Sequence, residues 1–136
     1  MKPILCLDFD GVCHSYVSGW KGVDVIPDEP VVGLWDFIAE ASRDFEIHVY
    51  SSRSHQRGDL MLGTGAMINW FGQKAPYVGP VTASESHITW YGSEISVMFP
   101  SEKPAAFVTL DDRAITFTGV WPSVEELKAF KPWNKQ

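Results

Sequence analysis

The stretch "ILCLDFDGVC", residues 4–13, decides how the chain is read. Four apolar residues run without alternation, break into two carboxylates one residue apart, Asp8 and Asp10, and turn at Gly11. An apolar run with no polar residue at alternate positions is the pattern of a strand buried on both faces of a parallel sheet. In open parallel sheets the ligand crevice lies beyond the carboxyl ends of the strands. Two carboxylates at such an end are placed for chemistry; the plainer reading is a solvated strand-to-loop turn, where Asp is common.

Outward from that strand, residues 11–28 hold glycines, a proline and the aromatics Tyr16 and Trp20, and read as an ordered loop or small hairpin. Residues 29–42 carry Val32, Leu34, Trp35, Ile38 and Ala39 at helical spacing, with Pro30 tolerable in the first turn. "FEIHVY", residues 45–50, predicts a second strand ending at Ser51, and residues 60–71 predict a helix weakened by Gly63 and Gly65. Residues 75–92 yield no assignment. "EISVMFP" (94–100) and "AAFVTLDD" (105–112) read as a third and a fourth strand, the latter running into Asp111 and Asp112. In "PSVEELKAF" (122–130), Ser123 at an N-cap and Glu126 three residues on form a capping box that opens a last short helix. This order predicts an α/β fold with a largely parallel central sheet and residues 1–136 as one domain.

Asp8, Asp10, Ser51, Asp111 and Asp112 then fall at or just past the ends of three separate strands. Crowded carboxylates raise one another's pKa and destabilise the fold unless a cation compensates, so a hard divalent metal with oxygen ligands is the expected occupant, Mg²⁺ by default.

Composition narrows the function classes. At 136 residues there is room for one compact domain, and 45% hydrophobic residues with 13% aromatics supply a core. No apolar stretch approaches the roughly 20 residues of a membrane span, and "MKPILCLDFD" turns acidic too early for a signal peptide. The expectation is a cytoplasmic protein without a membrane partner, its two cysteines, Cys6 and Cys13, reduced. A net charge of −6 opposes nucleic-acid binding through a broad basic patch. It does not exclude a local phosphate site built from a cation and a few arginines.

The ordered motifs resemble the haloacid dehalogenase-like superfamily of phosphohydrolases. "CLDFDGV" matches that family's first motif, Ser51 in "IHVYSSRS" its second, and Asp111 with Asp112 in "FVTLDDRA" its fourth, together spanning residues 4–113. "SSR" (51–53) and "DDR" (111–113) are most similar to the phosphatase half of polynucleotide kinase/phosphatase enzymes and to small phage and bacterial relatives. The resemblance implies a three-layer Rossmann-like fold with a mainly parallel sheet, and the intervals between motifs leave no room for a large cap domain. It further implies that Asp8 attacks phosphorus to form an aspartyl-phosphate, and that Asp10 protonates the leaving oxygen and then activates water. Ser51, with Ser52 as its competitor, would bind a phosphate oxygen. Mg²⁺ would be held by Asp8, the Asp10 backbone carbonyl, Asp111 and Asp112, and Gly11 would permit the sharp turn.

One departure from the family pattern stands out. The third motif is a Lys preceding the last core strand, and the only suitable candidate, Lys103, lies eight residues before Asp111. At about 3.3 Å per extended residue it starts some 20 Å from the acidic cluster. Either residues 103–106 loop back, or Arg53 or Arg113 supplies the phosphate-binding charge. His14 and His55 follow the motifs and are candidates to line the pocket, while His48 sits inside a strand and reads as structural. Tyr16 and Trp20 are candidates for a flap or a base-stacking surface, with ordinary packing as the plainer reading. The resulting expectation is a Mg²⁺-dependent phosphomonoester hydrolase, with a nucleotide or polynucleotide terminal phosphate as preferred substrate. A small-molecule phosphatase and an inactive metal- or phosphate-binding module are the alternatives.

Overall fold

The computed structural model describes residues 1–55 and 61–135. Its sheet has six strands: β1 (Ile4–Leu7), β2 (Glu46–Val49), β3 (Val81–Ala83), β4 (His87–Trp90), β5 (Ile95–Met98) and β6 (Val108–Leu110). They lie in the order β3-β4-β5-β2-β1-β6. The run that opened the chain is therefore central, parallel to β2 on one side and to β6 on the other. β2 and β5 are also parallel, whereas β3, β4 and β5 form an antiparallel meander.

Among the described residues, three α-helices accompany the sheet: α1 (Leu34–Ala41), α2 (Leu62–Lys74) and α3 (Val124–Lys128). α1 starts later than its apolar spacing predicts because Gly33 stands in the left-handed region at φ 90°, which an extending helix cannot adopt. The helix predicted over 60–71 is α2, and residue 60 lies outside the described residues. Ser123 caps α3 as expected, accepting a hydrogen bond from the Glu126 N–H at 3.1 Å.

The three-layer Rossmann-like expectation with a mainly parallel sheet is overturned: the sheet is mixed, and the helices among the described residues are few and short. The register explains why. Paired residues share a face, so Val108, Leu5, Ile47, Val97 and Ile88 form one apolar row. Leu34 and Ile38 of α1 and Met67, Ile68, Trp70 and Phe71 of α2 join the same buried core. Trp35 meets Trp70 and Phe71, which puts the two helices in one layer. The opposite row reads Thr109, Cys6, His48, Met98 and His87, too polar to bury under a second helical layer. α3 buries none of its side chains.

The connections set the strand directions. Residues 91–94 between β4 and β5 are too few for a crossover and force an antiparallel pair, while residues 99–107 reach β6 without a helix. The 75–92 region, which the sequence leaves unassigned, supplies β3 and β4. Among the described residues, no helix is long and apolar enough to cross a membrane.

Candidate functional site

The site is built where β1 ends. The Asp8 N–H donates to Leu110 O at 2.9 Å and the Tyr50 N–H to Leu7 O at 3.1 Å, so the carboxyl ends of β6 and β2 flank Asp8 at one level. Asp111 and Asp112 leave β6 at that same edge, and one carboxylate oxygen from each of Asp8, Asp111 and Asp112 lies within 4.8 Å of the others. Burial, a hydrogen bond with Asp112 and the negative charge of Asp111 push the Asp8 carboxyl up to about 8. Asp112 Oδ1 is buried without a hydrogen-bond partner among the described residues.

Gly11 is required by this packing. It adopts φ +88°, and a Cβ at that position would fall on the Asp112 carboxylate. The turn is tightened by Cys13 and His14 N–H groups donating to Phe9 O, each at 2.9 Å. From the far end of the chain, Trp133 Nε1 donates to Gly11 O at 2.8 Å.

Asp10 belongs to a different set of contacts. Its Oδ1 lies 2.9 Å from His14 Nδ1 and its Oδ2 accepts from Arg53 Nε at 2.9 Å. The Arg53 side chain is fully buried, and its Nη1 donates to the carbonyls of Gly22 and Val23 at 2.8 Å each, tying down the 11–28 loop. The guanidinium carbon lies 4.6 Å from the centre of the Trp20 ring, whose side chain stays half exposed. Among the described residues, Arg53 Nη2 has no hydrogen-bond partner. Nε and Nη2 share one edge of the planar guanidinium, so this spare donor lies on the edge that faces Asp10.

His14 is likewise fully buried. Its Nε2 accepts the Asp28 N–H at 3.1 Å, which leaves the proton on Nδ1 to be donated to Asp10. Asp28 accepts from the Ser18 N–H at 2.8 Å and from the Ser18 hydroxyl. Burial pushes against ionisation of Asp28, but the two Ser18 bonds outweigh it and hold the carboxyl below its ordinary value.

The remaining predicted residues sort clearly. Ser51 is buried at the end of β2, where its Oγ accepts the Arg53 N–H at 2.9 Å and its N–H donates to Ser54 Oγ at 3.0 Å. Among the described residues, the hydroxyl's own donor faces Met67 Sδ, at 3.8 Å. Ser51 thus shapes the turn that aims Arg53, while Ser52 beside it is exposed. Lys103 is exposed in the 99–107 connection, which returns to the amino end of β6, and it forms no ion pair with the acidic cluster. Arg113 is exposed and meets the cluster through its backbone, the N–H donating to Asp111 Oδ1 at 2.8 Å. His55 is exposed against Tyr50. His48 lies on the opposite face of the sheet, bonded to Glu46.

Sequence reasoning missed Asp28 and Trp133. Neither belongs to a local motif, and their contacts cross loops rather than neighbouring positions.

The donor chemistry fits a hard divalent cation. All three clustered side chains offer oxygens, Asp112 Oδ1 lacks any other partner, and Asp8 carries the raised pKa of an uncompensated cluster. The Asp10 carboxylate stands outside that cluster, bound to Arg53 and His14. No protein-family model matches the chain, and no curated protein or solved structure matches it either.

Proposed function

We propose that the chain is a phosphomonoester hydrolase that uses Mg²⁺ and passes through an aspartyl-phosphate on Asp8. The observation that carries this reading is the division between two carboxylates two positions apart. Asp8 sits in a like-charged oxygen cluster, whereas Asp10 is held by a guanidinium and an imidazole N–H. The two carboxylates therefore have different partners to work with, a cation site for Asp8 and two fixed donors for Asp10.

In the proposed reaction an Asp8 oxygen bonds to phosphorus as the ester P–O bond breaks, and the leaving oxygen takes a proton from Asp10. Asp10, now a carboxylate, removes a proton from water, whose oxygen attacks phosphorus and releases phosphate with Asp8 restored. Asp8, Asp111 and Asp112 would hold the cation, which when bound neutralises the cluster and draws charge from the phosphate oxygens. Arg53, rather than Lys103, would supply the fixed positive charge, its Nη2 lying without a partner among the described residues on the edge that faces Asp10.

A nucleotide or short oligonucleotide end is the preferred substrate. Trp20 stays half exposed over the Arg53 guanidinium, a ring face on which a base can stack beside the phosphate. The net charge of −6 disfavours long tracts of backbone.

The test is phosphate release from p-nitrophenyl phosphate and from a panel of nucleotide, oligonucleotide and sugar phosphates, with Mg²⁺ or EDTA, wild type beside Asp8→Asn. Turnover that needs Mg²⁺ and falls at least about 10³-fold in Asp8→Asn is expected. A folded wild type that binds Mg²⁺ but releases no phosphate from any substrate would overturn the reading in favour of a binding module.

A further inference from the structure

His14 has no place in the reaction as written, and its surroundings are unusually complete for a residue without a task. The side chain is fully buried and both ring nitrogens are taken, Nδ1 facing Asp10 and Nε2 the Asp28 N–H. Its ring is stacked on Phe9 with centroids 5.5 Å apart, and Trp70 and Tyr16 meet it edge-on, each at 5.9 Å. These walls prevent the imidazole from turning. The Asp28 N–H on Nε2 selects the tautomer that carries its proton on Nδ1. That proton is aimed at one oxygen of Asp10, and Arg53 Nε holds the other.

We propose that His14, locked by Asp28, is a positioning residue that fixes the plane of the Asp10 carboxylate for proton transfer to the leaving group and from water. A terminal carboxylate torsion has broad, shallow minima, so one donor leaves the group free to swing and two donors on different oxygens define its plane. Misplacement of a catalytic group by about 1 Å is worth about 10² in rate. The inference rests on the assignment of Asp10 as acid and base made above.

The experiment separates leaving groups. An alkyl phosphate such as β-glycerophosphate needs its leaving oxygen protonated, whereas p-nitrophenolate leaves without help. His14→Gln loses the donor at Nδ1, and His14→Asn keeps an amide N–H at nearly the same point. His14→Phe fills the same aromatic slot without a donor and serves if the glutamine variant fails to fold. For His14→Gln or His14→Phe, kcat/KM on the alkyl phosphate should fall about 10²-fold and on p-nitrophenyl phosphate less than about tenfold. The aryl reaction should also show a burst of nitrophenolate close to one per enzyme, because hydrolysis of the aspartyl-phosphate has become slow. His14→Asn should remain within about tenfold of wild type on both substrates.

Equal losses on both substrates with no burst, or a folded His14→Asn no better than His14→Gln, would overturn the positioning role while leaving the hydrolase reading intact. A wild type inert on both substrates, and indistinguishable from Asp8→Asn, would overturn the reading and this inference together.

Discussion

Asp8 and Asp10 are two positions apart in the chain and face opposite electrostatic problems. Asp8 is pressed against Asp112 and Asp111 and holds its proton to about 8, against an ordinary value of 3.8. The unfolded chain ionises this carboxyl from about pH 4 upward while the folded chain keeps it protonated, so the folded state binds more protons across that interval. Stability of the metal-free protein must therefore fall as pH rises from about 4 and level off above about 8. In EDTA the melting temperature should drop by several degrees between pH 5 and 8, a kcal/mol being worth about 4 °C at this chain length. Asp8→Asn should flatten that slope, and saturating Mg²⁺ should reverse it in the wild type but not in the variant. A slope shared by wild type and Asp8→Asn would place its origin elsewhere. The carboxylates of this site were legible in the sequence because each ends an apolar run. The part played by Arg53 was legible only as a charge: that it is buried, and spent on Asp10, Gly22 and Val23, depends on how the 11–28 loop folds back over it.

Elements bring these residues to one place through close approaches that the sequence registers only as anomalies. Gly63 and Gly65 look like two equal weaknesses in the helix that is α2. A Cβ on Gly63 would collide with the Arg53 carbonyl, whereas one on Gly65 meets nothing within 4 Å. α2 therefore presses its first turn onto the backbone that carries Arg53, and Gly63 is what permits the contact. Gly65→Ala should stabilise the protein by about 0.5–1 kcal/mol through helix propensity alone, leaving activity unchanged. Gly63→Ala should instead cost about 1–3 kcal/mol and lower turnover by displacing Arg53. Thermal melts and phosphate release on the pair distinguish these outcomes, and equal behaviour of the two alanines would refute the packing argument. The same scale accounts for the missed strands. β4 alternates half-buried and buried residues in His87, Ile88, Thr89 and Trp90, a one-sided pattern too short to stand out until β5 pairs with it.

At the scale of the whole molecule a net charge of −6 surrounds the site proposed to take a phosphate. A protein that binds polynucleotide through counterion release loses affinity as salt rises. Under the proposed function the long-range field would repel the substrate, and a bound cation and Arg53 would attract it at short range. For an oligonucleotide terminal phosphate, kcat/KM should therefore rise severalfold between about 20 and 200 mM NaCl as repulsion is screened, while p-nitrophenyl phosphate responds weakly. A steep fall with salt would reveal a basic binding track that the composition does not suggest. The sequence by itself determined which residues end strands β1, β2 and β6, because apolar runs and the polar residues that stop them are covalent neighbours. It also determined the oxygen-rich character of the site. Only the tertiary structure decided that these strands are adjacent, that helices cover one face of a mixed sheet, and that Arg53 and His14 are the cationic and imidazole partners of Asp10. The physical reason is that spacing along the chain sets which face a side chain takes, whereas pairing and burial across the chain set what it meets there.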